Sequence, residues 1–263
     1  MAQTIIYNKI GTGYNHTRKA DPYIAARLYA LLDPVGGNNY LDIGCGTGNY
    51  TIRMAGTGLN FIGIDPSAIM LDEAKYKSNF VSWIQGSSEN IPLADNSVDG
   101  AIATLTIHHW PDLEKGFKEL ARVLKTGSSI VIFSFTKEQE RGYWLNYFFP
   151  EMMKRSCQKA INFETVAEAA LKAGLDVIET EKYFVQEDLQ DLFCYSGKHD
   201  PEIYFDPMIR NGISSFALLA DKEEVGSGLL KLRNSIDSGE FEAIRKQYDN
   251  DLGDYLFIVL KKS

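Results

Sequence analysis

The chain has 263 residues, with 27 Lys+Arg against 35 Asp+Glu for a formal net charge of −8, and 44% of it is hydrophobic. That much apolar material excludes a disordered or fibrous chain, and the negative balance disfavours non-specific affinity for nucleic-acid phosphates or anionic lipid. On a prior of roughly 150 residues per domain, the expectation is one domain over 1–263, or one domain with an inserted subdomain. No apolar run approaches the ~18 residues of a membrane span, and the N-terminus lacks the basic-then-apolar pattern of a secretory signal. Cys45, Cys157 and Cys194 stand far apart, as reduced thiols do, so the reading is a soluble cytoplasmic protein. Neither these cysteines nor the four histidines, His16, His108, His109 and His199, show metal-ligand spacing, and no metal is expected.

In chain order, Ile24–Leu32 reads as a helix with Ile24, Leu28, Leu31 and Leu32 on one face, broken by Asp33-Pro34-Val35-Gly36-Gly37. A strand Tyr40–Ile43 runs into a glycine loop and a helix from about Asn49. Asn60–Ile64 is a second strand, followed by a helix bearing Ile69, Met70, Leu71 and Ala74. Phe80–Ile84 and Val98–Ala103 are the third and fourth strands, Leu113–Leu124 an amphipathic helix, and Ser129–Phe135 the fifth strand. Phe163–Ala173 is a helix closed by Gly174, before strands at Asp176–Phe184 and Tyr255–Leu260. Strands separated by helices predict a mainly parallel sheet covered on both faces. Two stretches, about 136–161 and 185–250, fall outside this rhythm and read as helical and aromatic insertions forming a lid or cap. The first carries Tyr143, Trp144, Tyr147, Phe148 and Phe149.

The strongest motif is Leu41-Asp42-Ile43-Gly44-Cys45-Gly46-Thr47-Gly48. Its glycines leave a strand and open a helix, where they permit positive φ and let a ligand lie close to the backbone. A dinucleotide fingerprint needs Gly-x-Gly-x-x-Gly, whereas here the last glycine falls one residue early. Asp42 would repel a pyrophosphate but attract a cation. Asp65, followed by Pro66, ends the second strand, where a carboxylate can accept from both hydroxyls of a ribose; the alternative is a helix N-cap with Pro66 at N1. Gly86-Ser87-Ser88-Glu89-Asn90-Ile91-Pro92 follows the third strand, and Thr104-Leu105-Thr106-Ile107-His108-His109-Trp110-Pro111 ends the fourth.

These blocks, LDIGCGTG, FIGIDPS, QGSSENIPLADNSVDGAIA and IHHWPDLEKGFKELARVLKTG, resemble the class I S-adenosylmethionine-dependent methyltransferases, in the group that includes ubiquinone/menaquinone methyltransferase-like proteins. The resemblance covers about Tyr7 to Phe135. It implies an α/β, Rossmann-like fold: a seven-stranded, mainly parallel sheet with helices on both faces and an antiparallel last strand. It implies S-adenosyl-L-methionine as cofactor. Asp42, Gly44, Cys45, Gly46 and Gly48 would hold its amino-acid end, Asp65 and Pro66 its ribose, and Thr104 would lie beside the methionine moiety. Ser87 and Ser88 would meet the adenine, in a place where the family commonly has an acid. Tyr14 and Arg18 match a Tyr/Arg-bearing helix that folds over the cofactor, with Arg18 toward the methionine carboxylate. Asp72, Glu73, Lys75 and Lys77 read as a solvated face.

Thr104-Leu105-Thr106-Ile107 is not the Asn/Asp-Pro-Pro-Tyr/Phe tetrad of nucleic-acid amino-methyltransferases, so the expected acceptor is a small, partly apolar molecule, with no nucleic acid and no stable membrane insertion. The aromatic run and the second insertion are expected to enclose it. His109, or else His108, follows the fourth strand and is the candidate base, because an imidazole with an unperturbed pKa near ~6.5 accepts a proton at neutral pH. Two other readings are a non-enzymatic scaffold or sensor that keeps the pocket, and a nicotinamide-dependent oxidoreductase.

Overall fold

The computed structural model describes residues 17–263. Seven strands form one sheet: β1 (Asn39–Ile43), β2 (Asn60–Asp65), β3 (Ser82–Gln85), β4 (Val98–Thr104), β5 (Leu124–Ser134), β6 (Leu175–Tyr183) and β7 (Tyr255–Lys262), in the order β3-β2-β1-β4-β5-β7-β6. Pairing is parallel from β3 through β5, whereas β7 runs antiparallel to both β5 and β6. The central strands read as near-continuous apolar runs because both faces are covered, and Leu41, Ala101, Ile102, Val131 and Ile132 are fully buried. All the parallel strands end on one edge of the sheet, where ligands of open α/β folds bind.

Local chemistry sets the helices around that sheet. Asp21 caps α1 (Pro22–Leu32) by accepting from the Ile24 amide at 3.0 Å, with Pro22 at the first turn. Gly48 at φ 76° turns β1 into α2 (Asn49–Ala55). Ser67 caps α3 (Ala68–Lys77), so the N-cap is Ser67 rather than Asp65, and Pro66 lies before the helix. Asp112 caps α4 (Leu113–Val123), whose Phe117 and Leu120 are buried beneath the sheet.

Two strand starts shift by two residues or more from the sequence reading. β3 starts at Ser82 because its partner β2 pairs with it only from Ile62 onward, which leaves Phe80 62% exposed. β5 begins at Leu124, immediately after α4, because Leu124 already pairs with Val98.

The first insertion folds into α5 (Lys137–Arg141), α6 (Leu145–Phe148) and α7 (Pro150–Lys159), and α8 (Phe163–Lys172) follows it. The second contains a 3-10 turn at Pro201–Phe205, then α9 (Pro207–Gly212), α10 (Ser214–Leu218), α11 (Lys222–Ser238) and α12 (Phe241–Lys246). The two insertions share a core. Trp144 is fully buried and meets Phe148, Tyr204 and Phe241 edge-on, while Tyr143 stacks on Tyr195 with centroids 4.0 Å apart. Phe149 packs against Phe216, and Tyr147 stays part-exposed beneath the Lys231 ammonium. The aromatic run therefore joins the insertions to each other, and none of its five rings lines either of the two cavities at the sheet's carboxyl edge. Among the described residues, no helix is long and apolar enough to cross a membrane.

Replacing the buried ring should show this role directly. Trp144→Ala is expected to lower the unfolding free energy by about 3–5 kcal/mol, the range for emptying a large aromatic site. Affinity for S-adenosylhomocysteine should be unchanged in the protein that remains folded. Urea denaturation and calorimetry check the two halves; a loss below about 1 kcal/mol would contradict the packing role.

Candidate active site

At the carboxyl edge, the Gly44–Gly48 loop is tied down from several sides. Gly44 and Cys45 amides donate to the Ile64 carbonyl at 2.7 and 3.1 Å. Asp65 accepts from the Gly46 amide at 2.9 Å through one oxygen and from the Ser67 amide at 2.8 Å through the other. One carboxylate thus fixes both the loop and the start of α3. The Lys77 ammonium crosses from α3 to donate to the Thr47 carbonyl, the Thr47 hydroxyl and the Asn49 side chain at 3.1, 2.8 and 2.8 Å. Lys77 is therefore a loop clamp rather than part of a solvated face, and partial burial lowers its pKa to about 8.

The glycines divide their work. A Cβ on Gly48 would fall 2.3 Å from the Trp83 ring, so this glycine serves packing, and it is not among the residues lining the cleft. Gly46, at φ 54°, has nothing within 4 Å of a built Cβ; its missing side chain leaves open space beside the backbone.

That space belongs to a cavity of about 510 Å³, within the size range of small-molecule sites. Asp42, Gly44, Cys45, Gly46, Asp65, Pro66, Ser87, Ser88, Thr104 and Arg18 all line it, so the sequence candidates from five separate segments converge. Tyr14 lies outside the described residues. Asp42 is 2% exposed; its Oδ2 accepts from Thr51 at 2.6 Å, but Oδ1 has no partner. Burial, with Asp65 adding repulsion against the Thr51 hydrogen bond, pushes Asp42 up to about 7. Burial also raises Asp65, against its two backbone donors. The Thr104 hydroxyl is likewise buried without a partner. A cation or hydroxyl-rich ligand would satisfy these groups, because an unmatched buried polar atom is costly. The Cys45 thiol is pushed well above its usual range by burial, which makes it a packing group rather than a nucleophile.

A second, smaller cavity of about 80 Å³ adjoins the first and shares Arg18, Leu105 and His109 with it. Leu105 holds φ 51°, a left-handed conformation uncommon for leucine, while its amide donates to the Phe133 carbonyl at 2.7 Å. That turn sends the chain into the short 3-10 helix Ile107–His109, which brings the two histidine rings together, with centroids 3.9 Å apart and planes tilted by 49°. His109 lines both cavities; His108 lines only the smaller, against Phe135. Burial first, and then Lys159 and Arg18, lower His109 to about 4, and burial and His109 push His108 further down. Both shifts favour the neutral ring, the form that can accept a proton, while making each imidazole a weaker base than a free one.

Several lining residues carry no sequence motif. Asp191, 1% exposed, accepts from the Arg18 guanidinium and from the Tyr50 hydroxyl at 3.1 Å. The pair joins the N-terminal side of the cleft to the second insertion, so Arg18 is already charge-balanced by protein. Glu89, two positions beyond Ser87, also lines the cavity, and its carboxylate accepts from the Asp112 amide at 3.2 Å. Asn49, Tyr50 and Met70 line the cavity as well.

The state of Asp42 predicts a pH signature. Its folded pKa lies above the unfolded carboxylate value, so the stability it contributes is present below about pH 4 and lost as pH rises through about 7. Between pH 5 and 8 the ligand-free protein should therefore lose more melting temperature than Asp42→Asn does, and S-adenosylhomocysteine should bind the wild type more tightly as pH rises. A constant difference in Tm between the two proteins would contradict an uncompensated Asp42.

Comparison with known proteins agrees with this geometry. Residues 41–132 match the family model described as a methyltransferase domain. The chain is 32% identical to a solved putative methyltransferase from an antibiotic biosynthesis pathway of Anabaena variabilis, with a TM-score of 0.83 over 92% of this chain and 98% of that one. It is 30% identical over 159 residues to an uncharacterized methyltransferase of Mycobacterium tuberculosis, covering 60% of this chain and 64% of the relative. It is also 34% identical over 177 residues to a demethylmenaquinone methyltransferase of Desulfitobacterium hafniense, covering 61% of this chain and 66% of that protein. The match thus spans slightly under two thirds of these two curated relatives. From the fold, the loop and the full-length likeness to the Anabaena structure, the chain belongs to the class I S-adenosylmethionine-dependent methyltransferase family.

Proposed function

We propose that this protein transfers a methyl group from S-adenosyl-L-methionine to a small-molecule acceptor, with the donor in the large cavity and the acceptor in the small one. The observation that carries the reading is their adjacency: the two cavities meet at Arg18, Leu105 and His109, so donor and acceptor would face each other across one layer of side chains. When bound, the cofactor supplies a methyl already activated on a sulfonium.

The chain's own residues then bind, orient and exclude water. Asp42 Oδ1 would receive the positive end of the donor, and the lone pairs Asp65 keeps beyond its two backbone bonds would receive the ribose hydroxyls. Thr104 would lie along the methionine chain, and Ser87, Ser88 and Glu89 would meet the adenine. Arg18, held by Asp191, would close the donor side. His109 would orient the acceptor's polar atom as a neutral ring, with His108 behind it on the acceptor side. An in-line displacement gains chiefly from alignment and a dry site, which suits neutral imidazoles better than a base that must titrate near pH 7.

Calorimetric titration with S-adenosylhomocysteine tests the donor site. Gly46→Val should abolish binding, since its side chain enters the open space beside the loop. Asp65→Ala should weaken binding by roughly 1.5–3 kcal/mol, the range for hydrogen bonds to a charged group. Unchanged affinity in a folded Asp65→Ala protein would remove the ribose role. Consumption of S-adenosylmethionine across an acceptor library tests the transfer itself; donor binding without consumption would favour a scaffold.

A further inference from the structure

We propose that the acceptor is a small, largely apolar molecule bearing a negatively charged group, seated in the smaller cavity with that group toward Lys159 and His108. The inference rests on the assignment of the larger cavity to the methyl donor.

The two cavities differ in sign. The larger is lined by Asp42, Asp65, Glu89 and Asp191, with Arg18 already paired to Asp191. Among the described residues the smaller has no carboxylate in its lining, and its charged groups are Lys159 and Arg18, the latter paired with Asp191. In a chain with net charge −8, a pocket whose described wall holds Lys159 and no carboxylate departs from the composition around it. The Lys159 ammonium, at the last residue of α7, has no hydrogen bond or ion pair with any described residue. Its charge nevertheless reaches the site, since it helps depress both histidines.

A second group lacks a partner. His108 Nδ1 is buried and makes no hydrogen bond, although the ring lines the cavity. An imidazole nitrogen buried without a partner is costly unless a ligand atom completes it. Ser214 and Ser215 add hydroxyls, while Leu105, Phe135, Phe193, Ile213, Leu218 and Tyr255 supply the apolar wall. Two carboxyls stand outside the wall: Asp191, paired with Arg18, and Glu140, which accepts from the Ser156 hydroxyl at 2.7 Å. Burial raises Glu140 to about 7, which weakens its negative field at neutral pH. An acceptor with an apolar body and an anionic end matches this wall; a cation does not.

The test uses protein saturated with S-adenosylhomocysteine and three probes of one shape: benzoate, benzamide and benzylamine. With four histidines in the chain, the ring NMR signals of His108 and His109 can be assigned and report where each probe binds. Benzoate should shift both signals and bind about tenfold more tightly than benzamide, with benzylamine weakest. Lys159→Gln should bring benzoate to the benzamide level and leave benzamide unchanged. Lys154→Gln, which removes a like charge from the same helix away from this cavity, should change neither. Equal binding of benzoate and benzamide, a preference for benzylamine, shifts confined to other residues, or no probe binding would each overturn the proposal. Failure of S-adenosylhomocysteine to saturate the protein would instead remove the donor-site reading on which it rests.

Discussion

The site depends on two carboxylates held at the carboxyl ends of neighbouring parallel strands, where the surrounding protein satisfies one and leaves the other short. Asp65 is matched by two backbone amides, and in accepting them it fixes the glycine loop and the N-terminus of α3 together. Asp42 sits deeper, with a single hydroxyl donor and one bare oxygen, and burial moves its ionisation close to neutrality. A fold optimised for stability alone would not keep that oxygen uncompensated. A positively charged ligand would complete it. The glycine loop supplies the space, and the clamps from Lys77 and Asp65 keep that space open.

Everything beyond this floor closes over it. The second insertion reaches back to the N-terminal side through Asp191, which meets Arg18 and Tyr50, and Asp21 accepts from the Gln190 amide at 3.0 Å. The first insertion gives the smaller cavity Ser156 and Lys159 from α7, while its aromatic run stays out of both cavities. Its rings lock α5 to α7 onto the second insertion, which then presents Phe193, Cys194, Ile213 and Leu218 to the smaller cavity. The strained turn at Leu105 is the hinge of this design in space: it lets β4 end at the large cavity and the histidine pair begin at the small one.

What the sequence made legible is what is local. Asp42, the glycines, Asp65 and the Thr104 segment lie within or just after strands whose apolar pattern is continuous, so the strand-end rule places them on one edge. The antiparallel β7 and both cofactor-side loops followed from the same family resemblance. What stayed hidden depends on distance and burial. Arg18 and Asp191 are 173 residues apart, and nothing in either neighbourhood marks the pair. Lys77 looked solvated because its helix spacing is that of a polar face, yet a long side chain can cross to a neighbouring loop. The histidines read as bases of ordinary strength because a free imidazole titrates near neutrality; the burial that lowers both of them depends on the fold and leaves no mark in the sequence. The aromatic run looked like a pocket wall because composition cannot say which side of a ring meets protein.

The most direct test of the account is the structure of the protein with S-adenosylhomocysteine bound. The account predicts the ribose hydroxyls on Asp65, the amino group on Asp42 Oδ1, and the sulfur beside Leu105 and His109, open toward the smaller cavity. A sulfur turned toward Ser87 and Glu89, or a ligand lodged in the smaller cavity with Asp42 still bare, would contradict it.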